Sequence, residues 1–273
     1  MSLVARCWVA EPGLLGRLMY PPTQPRRRQT VYKLIDGLLD RQLFERESVR
    51  PGRVSALWPS QRGLQWLNQL RGEYYAYTAA CVGWPDPETG YYPGARHSKV
   101  DHHLACGRVY ADLLHRQSHL PLTNITLLGI MTGRQVDQWV AATRDQRWTD
   151  AHQLLRATGV SPASAAAAHV SYPLSATGAV KAPDLWLHVL VNGTPSAIAV
   201  EVERTAKSNL RYQSLAEFYT RAVQANLLDR VIYIADAPRV ARRVAAAFTA
   251  AGAVSPNLVR VQTVSTDWPS HIR

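Results

Sequence analysis

Residues 182–207 read APDLWLHVLVNGTPSAIAVEVERTAK, from Ala182 to Lys207, and this stretch decides the fold. Leu185 to Val191 and Ser196 to Glu203 are rich in apolar and β-branched residues, and Asn192-Gly193 between them is a strong short-range hairpin signal. A turn made by Asn192 and Gly193 pairs Val191 with Thr194 and sets Asp184 opposite Glu201. Pro195 argues for a wider loop, because proline cannot donate to a ladder. A loop over 192–195 pairs Val191 with Ser196 and sets Asp184 opposite Glu203. Directly paired residues share a face, and side chains alternate along each strand. Under either register Asp184, Glu201 and Glu203 therefore point the same way, and Ile198, Val200 and Val202 take the opposite face, towards a core. Three like charges on one sheet face call for a compensating cation. Carboxylate oxygens suit Mg²⁺ or Mn²⁺, and such an ion polarises a phosphodiester and activates water. The competing reading is a solvated strand face whose acids pair with Arg204, Lys207 or a neighbouring element.

The chain has 273 residues, enough for one large or two ordinary domains, and 47% of them are hydrophobic, as in a globular protein. Lysine and arginine number 31 against 20 acidic residues, a formal net charge of +11. That balance favours a polyanionic partner, most simply nucleic acid, with an anionic membrane surface as the competing explanation. No stretch reads as a transmembrane span or a signal peptide. Cys7, Cys81 and Cys106 are widely spaced and lack a metal-ligand pattern, which points to reduced thiols and a cytoplasmic location.

Residues 1–72 read as one unit. A short helix over 11–20 is stopped by Pro21 and Pro22, and the run Arg26-Arg27-Arg28 follows Pro25. Thr30 is the expected N-cap of a helix running to Gln42, with Val31, Leu34, Ile35, Leu38 and Leu39 at helical spacing. Two strands over 43–49 and 54–58 flank a basic Arg50-Pro51-Gly52-Arg53 tip, and 61–70 returns to helix. This order is that of a winged helix-turn-helix DNA-binding domain, whose second helix enters the major groove. Gln29, Thr30, Tyr32 and Lys33 are then the candidates for reaching bases. Arg26, Arg27, Arg28, Arg50 and Arg53 are the candidates for phosphates.

Residues 73–100, rich in Tyr, Gly and Pro, read as a linker, and 101–273 as a second domain. A helix is expected over 100–119. Its His102 and His103, with His115 and His119, lack the cysteines or carboxylates that complete a zinc site. A strand over 124–130, helices over 135–144 and 150–157, and a Ser/Ala-rich loop or weak helix over 161–168 come next. A strand over 169–174 precedes the hairpin. After Lys207 a helix over 208–228, a strand over 231–235, a helix over 238–251 bearing Arg239, Arg242 and Arg243, and a strand over 258–264 complete an α/β sandwich with a mixed sheet.

Pro183-Asp184, then Glu201-Val202-Glu203 on the next strand, then a helix, resembles the PD-(D/E)xK core of restriction-endonuclease-like proteins. Together with the winged helix and the segment His102-His103-Leu104-Ala105 followed by Val109-Tyr110, it resembles the replication-relaxation family of plasmid and integrative-element proteins and the MobC-type mobilisation relaxases. The resemblance implies a metal-dependent endonuclease or nickase acting on double-stranded DNA, single-stranded at the nick, in DNA relaxation, replication or mobilisation. It implies replication or transfer proteins as further partners. Asp184 and Glu201 match the metal-binding acids. Glu203 stands where the family carries lysine, and Lys207 would supply the ammonium from four residues on; Tyr212 or Gln213 would orient DNA. The alternative is a replication accessory protein or regulator that binds DNA without cutting it.

Overall fold

The computed structural model describes residues 10, 12–19, 27–50, 54–71, 95–114, 124–165, 182–235, 237–252 and 259–263. The chain is of mixed α/β class and divides into two compact units, 1–118 and 119–273.

The first unit contains α1 (Pro12–Met19), α2 (Arg27–Asp40), the antiparallel ribbon β1 (Phe44–Arg50) and β2 (Val54–Pro59), α3 (Gln61–Arg71) and α4 (Ala95–Leu114). Helical spacing puts Leu14 and Leu15 of α1 and Val31 and Ile35 of α2 into one core with Phe44 and Leu57 of the ribbon. Ala10 extends the ribbon, exchanging backbone hydrogen bonds with Leu57 at 3.1 and 3.0 Å. Ser60 closes the ribbon and starts α3: its hydroxyl accepts from the Gly63 N–H at 2.9 Å. Thr30 is not the N-cap of α2. Arg27, Arg28 and Gln29 are straight-chain helix formers, and the helix propagates through them to begin at Arg27. The expected linker also extends too far. Helix α4 starts at Ala95 and belongs to the first unit, where Ala111 packs into the same core. The two compact units divide after Ser118. His115, His119, the rest of the linker and the strand expected over 169–174 lie outside the described residues.

The second unit is a five-stranded sheet in the order β3-β4-β5-β6-β7, so neighbours in sequence are neighbours in space. The strands are β3 (Ile125–Thr132), β4 (Leu185–Val191), β5 (Thr194–Glu203), β6 (Arg230–Ala235) and β7 (Val259–Thr263). The first three form an antiparallel meander; β6 and β7 run parallel to β5. Helices α5 (Gly133–Arg144) and α6 (Trp148–Thr158) follow β3, while α7 (Asn209–Gln224) and α8 (Pro238–Ala250) make the two parallel crossovers. A capping box starts α5: the Thr132 hydroxyl accepts from the Gln135 N–H, and the Gln135 side chain accepts from the Thr132 N–H at 2.9 Å.

The hairpin takes the tighter of the two registers. Val191 pairs with Thr194, and Asn192 and Gly193 turn the chain at φ 49° and 82°. Positive φ at both central positions is the primed geometry that follows the right-handed strand twist. Pro195 is tolerated within β5. It pairs with Leu190 at a position whose N and C=O point away from β4, and pairing with β6 begins only at Ile198.

Both faces of the central strands are buried where they pair with one another. Trp186, Ala197, Ala199, Val231 and Tyr233 meet Tyr212, Leu215, Phe218 and Tyr219 of α7 and Val240, Val244 and Phe248 of α8. Leu185, Leu187, Val189, Ile198, Val200 and Ile232 on the other face are wholly buried. The indole N–H of Trp186 donates to the Ser164 hydroxyl at 3.0 Å. That interaction uses a residue of the Ser/Ala-rich segment, where 162–165 form one helical turn with Ser164 and Ala165 buried.

Candidate functional site

With Leu185 paired to Val200, Asp184 continues the register opposite Glu201. It is a position of the close, non-hydrogen-bonded kind, where facing Cα atoms stand about 4.5 Å apart. Strand β4 begins only at Leu185, so the Val202 N–H has no ladder carbonyl from β4. Asp184 replaces it: its Oδ2 accepts from Val202 N at 2.7 Å. The backbone of Asp184 is fixed from the other side, where its carbonyl accepts from Gly133 N at 2.9 Å. Glycine is required there, because a Cβ on Gly133 would stand 2.3 Å from the Pro183 carbonyl oxygen.

Glu201 and Glu203 occupy the helix-covered face, not a solvated one, at 2% and 4% exposure. A carboxylate is costly to bury without partners. The Tyr219 hydroxyl of α7 donates to Glu201 Oε1. The Lys207 ammonium, from the segment entering α7, reaches back and pairs with Glu203 Oε2. Lys207 is held in turn by Tyr212, whose hydroxyl accepts from Lys207 N at 3.1 Å and whose ring centroid lies 6.0 Å from Nζ. Tyr212 is thus buried and committed to Lys207, so it does not present itself to DNA; Gln213 is exposed. Ser208 caps α7 by accepting from Arg211 N at 3.3 Å. In-register pairing of Glu203 with Ala235 ends β5 and β6 at the same level, so the acids lie at the carboxyl edge of the parallel pair. In open α/β sheets that edge is where ligands bind.

Strand parity puts the three acids on one face but does not bring them into one cage. Among the described residues, Asp184, Glu201 and Glu203 do not form a set with ligand atoms within 4.8 Å of one another. The donor chemistry nevertheless fits a hard divalent cation. Mg²⁺ commonly takes only one or two carboxylates and keeps its remaining positions for water and substrate phosphate. Asp184 and Glu201 are the facing pair that would hold it, with Glu203 given over to Lys207. Tyr219 is not recognisable as a partner from the sequence, because it lies 18 residues beyond Glu201. Its place in the apolar stripe of α7 identifies it only as core.

Among the DNA-binding candidates, Gln29, Thr30, Tyr32 and Lys33 lie exposed on α2, while Val31 and Ile35 face the core. Arg27 and Arg28 belong to the first turn of α2, and Arg50 ends β1. Arg26 and Arg53 lie outside the described residues. A separate cavity of about 600 Å³ in the second unit is lined by His152, Arg156 and His188, with Leu155, Val160 and Pro162. Among the described residues no helix is long and apolar enough to cross a membrane.

No protein-family model matches the chain, and neither does any curated protein or solved structure.

Proposed function

We propose that the protein binds DNA through its first unit, as a winged helix, and acts on it through the second as a metal-dependent endonuclease or nickase. The observation that carries this reading is the disposition at the carboxyl edge of β5. Asp184 faces Glu201 there, and Lys207 brings an ammonium back to the strand position of Glu203. The disposition is similar to the acid, acid and cation set of the PD-(D/E)xK core, with the cation delivered from the start of α7. The order α1, α2, ribbon, α3, and the exposed polar residues of α2, support the DNA-binding half.

A bound Mg²⁺ or Mn²⁺ would supply a polarised phosphate oxygen and an activated water. The chain's own groups have separable tasks. Asp184 and Glu201 would hold the ion. Tyr219 holds the Glu201 carboxylate in one orientation. Lys207 balances Glu203 and places positive charge beside the phosphate, where a fixed cation stabilises developing negative charge. The test is incubation of supercoiled plasmid DNA with the protein and Mn²⁺. Relaxed or linear product is expected, and Asp184→Ala should remove it. Absence of product, with Asp184→Ala indistinguishable from the parent, would sink the catalytic claim.

A second reading has its own support. Tyr219 and Lys207 already engage the two glutamates, as in a folded relic that binds DNA without cutting it. It predicts DNA binding that persists in EDTA and is indifferent to Asp184→Ala and Glu201→Ala.

A further inference from the structure

Helix α8 carries three arginines and no acidic residue. Val240, Val244, Ala247 and Phe248 fix its buried side, and Arg239, Arg242 and Arg243 are all exposed. At 3.6 residues per turn the three fall within an arc of about 100° on the outer side. Among the described residues none of the three enters an ion pair. Local helix energetics do not account for them. They stand in the N-terminal half of α8, where the macrodipole disfavours cations, and like charges three and four residues apart repel. The neighbouring crossover helix, α7, packs against α8 and adds exposed Arg211 and Arg221. Across the two helices five exposed arginines face a single exposed acid, Glu217.

The topology puts this charge beside the candidate site. Strands β5 and β6 are parallel and end together at Glu203 and Ala235. Helix α8 begins at Pro238, so Arg239 leaves the sheet from the same edge as the carboxylates. The first turn of α8, with Arg239, therefore starts at the edge where β5 ends with Glu201 and Glu203, one strand over in the sheet order.

We propose that the arginine face of α8 is a second binding surface for the phosphate backbone of DNA, separate from the winged helix and continuous with the carboxyl-edge site. The proposal rests on the DNA-binding reading and adds where the second unit grips its substrate. It concerns phosphates, not bases, so it is independent of sequence.

Binding of a fluorescently labelled duplex of arbitrary sequence is measured by anisotropy in EDTA, from about 0.05 to 0.2 M salt. The parent protein is compared with R239Q/R242Q/R243Q and with R239K/R242K/R243K. For every phosphate that the variant fails to neutralise, the slope of log affinity against log salt becomes shallower by about 0.9, so three phosphates change it by about 2.7. At about 0.1 M salt every such phosphate lowers affinity roughly 8-fold. The lysine variant should keep the parent slope. Thermal melting of both variants should match the parent, since the three side chains are exposed. An unchanged slope in the glutamine variant overturns the proposal. So does a glutamine variant whose only defect is weaker binding to phosphatidylserine vesicles. If that unchanged variant still releases DNA on Tyr32→Ala and Lys33→Ala, the parent reading stands without α8. A parent protein with no salt-dependent DNA binding overturns both.

Discussion

Lys207→Met removes the ammonium from Glu203 while keeping most of the side-chain volume. Glu203 has 5% of its side chain exposed and Lys207 has 22%. Among the described residues Lys207 is the one partner of the Glu203 carboxylate. Removing one member of a fully buried pair costs about 3–5 kcal/mol, because the other charge stays buried alone. The partial exposure of Lys207 admits water to this pair and lowers the expectation to about 2–3 kcal/mol, at and below the bottom of that range. Glu203→Gln leaves a lysine that can turn towards solvent, and should cost only about 1 kcal/mol. The double variant, with neither charge present, should be less destabilised than the sum of the singles by about 1–2 kcal/mol. Urea unfolding followed by tryptophan fluorescence reads these differences as shifts in midpoint at constant m. If Lys207→Met costs less than about 0.5 kcal/mol and the singles simply add, Lys207 does not hold Glu203 and cannot stand in for the in-register lysine of the nuclease core.

Two other substitutions test the frame around the pair. Gly133→Ala sets a Cβ against the Pro183 carbonyl oxygen and forces the Pro183-Asp184 segment to move. Overpacking of this kind costs about 1–3 kcal/mol, and circular-dichroism melting should show the loss of stability. Tyr219→Phe removes the hydroxyl donated to the buried Glu201, a charge-assisted hydrogen bond worth about 1.5–3 kcal/mol. A lowered urea midpoint at constant m is expected; an unchanged midpoint would show that Glu201 does not depend on this donor.

The hairpin was legible because its determinants are local. Asn192-Gly193 specifies the turn, the turn specifies the register, and strand periodicity then puts Asp184, Glu201 and Glu203 on one face without any tertiary interaction. Pro195 pulled the other way only under the assumption that every N–H in β5 must meet a partner. Its position beyond the end of β6 removes that requirement. What covers the face was not legible. Helix α7 supplies Tyr219 and Tyr212 from the stripe that also packs on Trp186, so their hydroxyl chemistry is hidden under an apolar signal. The start of α2 failed for a different reason. Thr30 is a good cap by residue type, but capping is decided by where the helix stops propagating, and Arg27 to Gln29 do not stop it.

Burial also changes what the acids mean. On a solvated face, three carboxylates would cost little and signal little. At 2% and 4% exposure, Glu201 and Glu203 sit in a helix-packed layer where leucine or valine would stabilise the sheet without polar partners. The chain instead assigns a tyrosine to one and a lysine to the other, and commits the buried Tyr212 to positioning that lysine. A purely structural sheet has no need of this arrangement. It fixes charged groups at the end of a strand, the kind of pre-set geometry that a binding site uses. The placement at the carboxyl edge, with exposed arginines on both crossover helices, then argues for an anionic ligand over a merely stabilising network.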